Sequence, residues 1–187
     1  DMQLTVSTNK NLLDFYETYP QSTLTENFMT RWAMYANTPM EETVKKQLYP
    51  ALREKLKGLS ELDAVNKLLN WVQTGFVYEL DDKVWGYDRP FFAEETLFYP
   101  YCDCEDRSIM LTRIIRDLLG LKCVLVYYPG HLAMAVHFNE DVKGDYFMLK
   151  GERFIVTDPT IIGAGAPAGT TMRGMNNAEA TVILLDN

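Results

Sequence analysis

The sequence predicts an α+β fold in which N-terminal helices precede a central helix packed on an antiparallel sheet. Three stretches predict it. After Cys104, Leu111, Ile114, Ile115, Leu118 and Leu119 recur at helical spacing, and Gly120 stands where a left-handed residue ends a helix. One buried helix is therefore expected from about Cys104 to Leu119. Next, His131 to Phe138 follows Pro129-Gly130 and alternates like a strand: His131, Ala133, Ala135 and His137 on one face, Leu132, Met134, Val136 and Phe138 on the other. Last, Arg153 to Asp158 is rich in β-formers and stops at Pro159, so Asp158 ends a strand and the Asp-Pro step opens a turn.

In chain order, residues 1–60 read as a helical lead-in. Met40 to Leu56 has apolar and charged residues at helical spacing, and Pro50 within it predicts two short helices or a kink. Ser60 is placed to cap a helix with Asp63 near its third position, and Ala64, Leu68, Leu69 and Val72 form the apolar stripe of that helix. A catalytic core is expected over 61–160. Between Tyr78 and Tyr101 the chain turns aromatic and irregular, with Trp85, Tyr87, Phe91, Phe92, Phe98 and Tyr99 beside Pro90 and Pro100. Such a stretch is either one wall of a substrate cleft or a loop anchored to the core by its rings. Residues 161–187 are expected as a loop and a final strand. Gly163 to Gly169 lacks the glycine spacing and following helix of a dinucleotide site and reads as a mobile loop beside the active site, while Ala180 to Leu185 reads as the strand. No repeat or low-complexity block divides the chain, so one domain over 1–187 is expected.

The chemistry concentrates at Cys102-Asp103-Cys104-Glu105-Asp106-Arg107-Ser108. Free N–H groups and the positive dipole end of a helix stabilise an anion, so Cys104 in a first turn is expected to have a lowered pKa and to be the nucleophile. A thiolate also needs a base and an orienting group. The chain has two histidines. His131 opens its strand just after a turn and is the better base, while His137 lies at the far end. Asp158, at the end of a neighbouring strand, would hold the other imidazole nitrogen, placing Cys104, His131 and Asp158 on a helix N-terminus and two consecutive strands. Plainer readings exist: a buried cysteine packs as a small hydrophobe, a histidine after a turn sits on the surface, and Asp before Pro forms turns. The three charged residues after Cys104 weigh against an apolar niche, whereas Cys123, within Leu121 to Val126, reads as core.

Cys104-Glu105-Asp106 before an amphipathic helix, then the Gly130-His131 strand, then Asp158-Pro159-Thr160, resembles the transglutaminase-like superfamily of papain-fold cysteine enzymes. The resemblance runs from about Leu62 to Thr160 and includes Phe76-Val77-Tyr78 and Glu94-Glu95-Thr96-Leu97. It departs at Cys102, where the family usually has glycine, and at Leu132-Ala133, where an aromatic residue is common. It implies a papain/transglutaminase-like fold with Cys104 as nucleophile, His131 as general base and Asp158 as orienting acid. It further implies acyl transfer on amide bonds of a protein or peptide substrate through a thioester, in a bacterial and extracytoplasmic setting. Water outnumbers any amine, which puts peptidase or amidase activity ahead of transamidation. The competing reading is a non-catalytic module of the same fold that binds protein or glycan.

No cofactor is expected. Cys102, Cys104, Cys123, His131 and His137 have spacings that match no zinc pattern. Asp103, Glu105 and Asp106 form an acidic cluster, and the resemblance brings in calcium near Asp103 and Glu105. Calcium takes about six to eight oxygen ligands, more than this cluster alone supplies, and complementing the helix N-terminus accounts for the acids equally well. The three cysteines read as thiols, since a Cys102–Cys104 bridge would close a strained ring. A net charge of −8 argues against non-specific nucleic-acid binding. No apolar run approaches the ~20 residues that span a bilayer, so no membrane insertion is expected. The chain begins at Asp1 with neither an initiator methionine nor a signal peptide, which reads as a trimmed or processed form.

Overall fold

The computed structural model describes residues 3–19, 27–161 and 165–187. The lead-in consists of α1 (Lys10–Glu17), α2 (Phe28–Asn37) and α3 (Glu42–Leu56), followed by α4 (Glu61–Gly75). Pro50 lies inside α3, which runs as one continuous helix, so of the two expected outcomes the break into two short helices does not occur. The missing N–H and the ring clash cost about 3 kcal/mol. Val44, Leu48, Leu52 and Leu56, spaced on both sides of Pro50, are all buried in the main core, at about 1.5–3 kcal/mol each, and that outweighs the defect. The start of α4 is as expected: the Ser60 hydroxyl accepts the Asp63 N–H at 3.1 Å, and Ala64, Leu68, Leu69 and Val72 are buried.

The aromatic stretch is more regular than its sequence suggests. It contains β1 (Val77–Tyr78), α5 (Asp81–Val84), α6 (Ala93–Phe98) and β2 (Tyr101–Cys102). Strands β1 and β2 pair in parallel, with Tyr78 opposite Cys102. Between the short helices, the Arg89 guanidinium lies 4.3 Å from the Trp85 ring centre and 5.0 Å from that of Tyr99, and bonds Glu95 at 2.7 Å. Phe91 and Phe92 are buried, so most of these rings anchor the segment; Tyr87, Phe98 and Tyr101 stay exposed.

Helix α7 (Cys104–Leu119) has the predicted bounds and ends at Gly120, whose φ of 65° is the left-handed conformation glycine adopts without strain. It packs on a sheet of β3 (Lys122–Tyr128), β4 (His131–His137), β5 (Tyr146–Leu149), β6 (Glu152–Thr157) and β7 (Thr181–Ile183), in the order β5-β6-β4-β3-β7, with antiparallel pairing throughout. Strand β5 has no separate signal in the sequence, which predicts the histidine and aspartate strands as consecutive. They are neighbours in the sheet, with Met134 of β4 opposite Thr157 of β6, but β5 lies between them in the chain. Alternation along β4 divides the core as predicted. Leu132, Met134 and Val136 join the main core, which includes Ile109, Met110 and Ile114 of α7, whereas Ala133 and Ala135 pack with Val124, Val126, Tyr128 and Phe154.

Of the glycine-rich stretch, Gly163 and Ala164 lie outside the described residues. The part that follows is fastened down: Gln73 of α4 accepts the Ala166 N–H at 3.1 Å, Asn66 of α4 accepts the Ala168 N–H at 2.8 Å, and Val156 O of β6 accepts the Gly169 N–H at 2.7 Å.

Candidate active site

Asp158 follows the last residue of β6 and His131 opens β4, so the pairing of those strands brings the two side chains together. His131 Nε2 lies 2.7 Å from Asp158 Oδ2, and both residues are buried. A carboxylate can only accept, which places the proton on Nε2 and leaves a lone pair on Nδ1. Asp158 is itself held in place. Its Oδ1 accepts the Thr160 N–H at 2.9 Å as the Asp-Pro turn begins, and its backbone carbonyl accepts from Gln73 Nε2 at 2.9 Å. The Tyr128 ring stacks beside the imidazole, 6.2 Å between centres and 20° between planes. His137 stands apart, with Nδ1 bonded to the Arg153 carbonyl at 2.9 Å.

Cys104 is the first residue of α7. Its sulfur meets the backbone N–H of Leu132, the residue after His131, and its thiol donates to Glu105 Oε2 at 3.2 Å. Among the described residues there is no direct Cys104–His131 hydrogen bond. The expected fall in the Cys104 pKa is reversed. Burial pushes the thiol well above its usual range, the Glu105 and Asp103 carboxylates add to the rise, and the Leu132 N–H offsets only part of it. A helix dipole contributes about half a charge, less than two adjacent carboxylates.

Those acids form a larger cluster than the sequence indicates. Asp106 serves the backbone, accepting the Asp103 N–H at 3.1 Å and the Phe91 N–H at 2.8 Å, which matches the expected role at the helix start. The Asp103 side chain also accepts backbone N–H groups of the first turn, from Glu105 and Asp106, so it too serves the helix start, whereas the Glu105 carboxylate accepts from the Cys104 thiol. Ligand atoms of Asp103, Cys104 and Glu105 lie within 4.8 Å of one another, as do those of Asp81, Asp88 and Glu105. Burial and the Asp103 charge push Glu105 up to about 9, burial pushes Asp81 up to about 7, and Asp103 Oδ1 is buried without a hydrogen-bond partner. Among the described residues, no potential metal-binding group includes Cys102, Cys123 or either histidine. All three cysteines are free and buried; burial pushes Cys102 up to about 11 and Cys123 up to about 12.

Two residues packed around the candidate site have no role assigned from the sequence. Arg107, 1% exposed, donates to the Phe76 carbonyl at 2.8 Å, the Pro159 carbonyl at 3.3 Å and Cys102 Sγ at 3.4 Å. It therefore ties together the segment before β1, the strand before Cys104 and the turn after Asp158. An arginine at the first buried turn of an apolar helix was the available signal. Tyr78 is the second: the Arg107 guanidinium lies 5.3 Å from its ring centre. Only the β1–β2 pairing reveals its place opposite Cys102.

No known family profile matches the chain, and no curated protein matches it. Among solved structures, it is similar to a candidate cysteine protease from Cytophaga hutchinsonii, at 12% identity and a TM-score of 0.48, over 81% of this chain and 51% of that one. It is also similar to LapG of Legionella pneumophila, at 14% identity and a TM-score of 0.43, over 79% of this chain and 86% of that one. The chain thus spans about half the length of the first. No described helix is long and apolar enough to cross a membrane.

Proposed function

We propose that this chain is a cysteine-dependent acyl-transfer enzyme acting on amide bonds of protein or peptide substrates, with Cys104 as nucleophile, His131 as general base and Asp158 as orienting acid. The observation that carries the reading is the buried 2.7 Å His131–Asp158 bond at the strand ends that adjoin the Cys104 helix start. Asp158 holds Nε2–H, so Nδ1 is the nitrogen that takes the thiol proton. The sulfur then adds to the carbonyl carbon, a C–S bond forms, and the carbonyl π pair moves to oxygen beside the N–H groups at the start of α7. Collapse expels the amine, which leaves with the proton from His131, and water activated by the same nitrogen releases the acid from the thioester. Hydrolysis is the default because water outnumbers any competing amine.

The acidic cluster suits calcium by its donor chemistry: oxygen ligands from Asp81, Asp88, Asp103 and Glu105, one of them buried and unpartnered. These residues would hold the ion, which supplies positive charge to carboxylates otherwise crowded together.

Alkylation with iodoacetamide, read by mass spectrometry of the Cys104 peptide, tests the reading. His131→Ala should slow labelling of Cys104 by about 10²-fold, within the range for loss of a general base. The bond from the Cys104 thiol to Glu105 favours a second reading, a non-catalytic module binding protein or glycan. Unchanged Cys104 labelling in His131→Ala, together with a lowered melting temperature, would select that module.

A further inference from the structure

We infer that Gln73 of α4 is a positioning residue of the candidate site, which couples the 165–168 segment to Asp158 and so to the His131 imidazole; the catalytic part of this inference rests on the acyl-transfer reading above. The first support is the amide itself. Gln73 is 4% exposed, and its Nε2 donates to the Asp158 carbonyl at 2.9 Å and to the Ala166 carbonyl at 3.0 Å, while its Oε1 accepts the Ala166 N–H at 3.1 Å. All of these partners are backbone groups, and turning the amide over would set its oxygen against two carbonyls. The side chain therefore has one orientation.

The second support is what the backbone at Asp158 lacks. The pairing of β4 with β6 ends at Met134 and Thr157, so the Asp158 carbonyl lies beyond the sheet ladder, and Pro159 has no N–H with which to continue one. Gln73 supplies the missing donor from α4. The next carbonyl, that of Pro159, takes Arg107 from α7. The turn is thus held from two helices, which fixes the direction in which Asp158 Oδ2 meets His131 Nε2. The third support is the fit of the coupled segment. Asn66, Asn70 and Gln73 recur at helical spacing on α4. Asn66 accepts the Ala168 N–H at 2.8 Å, and at Gly165, whose φ is 81°, a Cβ would lie 2.6 Å from Asn70 Nδ2 and 3.1 Å from Gln73 Oε1. Glycine is what lets the chain pass this close. Displacing residues 165–168 therefore moves Gln73, and Gln73 moves Asp158.

The test reads the imidazole and the sulfur separately. In the full chain, NMR follows the His131 Nε2 proton, which its bond to a carboxylate moves far downfield. Acylation of Cys104 is followed with p-nitrophenyl acetate, which transfers its acetyl group to the sulfur and releases p-nitrophenolate. Gln73→Met keeps the volume and removes the amide, so the proton signal should move upfield or broaden and acylation should fall by about 10–10²-fold, the scale of a misplaced catalytic group. Added to Asp158→Asn, the same change should have no further effect on acylation, because it acts through that carboxylate. Gly165→Ala displaces the segment without removing a donor or acceptor, so it should shift the His131 signal in the same direction, and it decides the matter if Gln73→Met does not fold. Ser60→Ala, which removes the cap of the same helix, should lower the melting temperature and leave both readouts unchanged. An unchanged His131 signal in Gln73→Met or in Gly165→Ala, or a fall in acylation that multiplies with that of Asp158→Asn, would overturn the inference and leave the acyl-transfer reading standing. So would an equal change in Ser60→Ala, since loosening α4 would then be enough. Failure of the wild type to acylate at Cys104 would remove the acyl-transfer reading and the catalytic part of this inference together.

Discussion

The two halves of the site are built on opposite electrostatic terms. On the sheet side, the atoms of the His–Asp pair find complements, His131 Nε2 with Asp158 Oδ2, Asp158 Oδ1 with the Thr160 N–H, and the Asp158 carbonyl with Gln73, although the Thr160 hydroxyl is buried without one. On the helix side, acceptors outnumber donors. Burial raises the pKa of Asp103, Glu105 and Asp106 alike, and Asp103 Oδ1 has no partner. In the sheet half, the imidazole and the carboxylate are held by these bonds. The helix half holds acidic groups that a proton or a cation must balance, because buried carboxylates are tolerated only when neutral or paired.

Breaking the sheet half should have the largest effect. Asp158→Asn removes the acceptor that sets the imidazole tautomer, so acylation of Cys104 by p-nitrophenyl acetate should fall by about 10²–10⁴-fold. A wild-type rate in that variant would reduce the His131–Asp158 bond to a structural contact. The link between the halves comes next. Arg107→Met leaves the Phe76 and Pro159 carbonyls without their donor, at about 1–3 kcal/mol each, so urea unfolding should show a loss of roughly 2–6 kcal/mol. An unchanged midpoint would show that the halves are joined by other means.

The smallest effect sharpens the contrast from the helix side. Asp81 and Glu95 are both pushed up to about 7, chiefly by burial, with Arg89 pulling Glu95 down only in part. Carboxyls with a raised folded-state pKa bind protons more tightly folded than unfolded. Their stabilising contribution is complete below about pH 4 and is lost as pH rises through about 7. In chelator, therefore, the melting temperature should fall between pH 5 and pH 8. Calcium at about 100 times its dissociation constant should raise stability at pH 8 by about 2.7 kcal/mol, and Asp103→Asn should abolish that gain. A flat pH profile in chelator, or a calcium response that survives Asp103→Asn, would show that the cluster does not behave as described.

Local pattern made much of this legible. Helical spacing and Gly120 located α7, a hydroxyl at position 60 located the start of α4, and alternation from His131 located β4 and assigned its faces. Pro159 marked where Asp158 leaves its strand. Pro50 left two short helices or a single kinked one open because propensity is local, whereas the packing of Val44, Leu48, Leu52 and Leu56 that keeps α3 continuous is not. The Cys104 thiol misled for a related reason. A helix start favours an anion in isolation, but burial and two neighbouring carboxylates act against it here.

By itself, then, the sequence determined which residues sit on helix and strand ends: Cys104 at a helix start, His131 at a strand start and Asp158 at a strand end. Such positions follow from periodicity, caps and chain breakers, all set within a few residues. Only the tertiary structure decided the rest. Strand pairing places His131 against Asp158 across an intervening hairpin, β1–β2 pairing puts Tyr78 opposite Cys102, and Arg107 reaches three segments at once. Asp81 and Asp88 join Glu105 from about twenty residues away. These contacts depend on long-range packing and on a dielectric that burial creates, and neither has a signature in the spacing of residues along the chain.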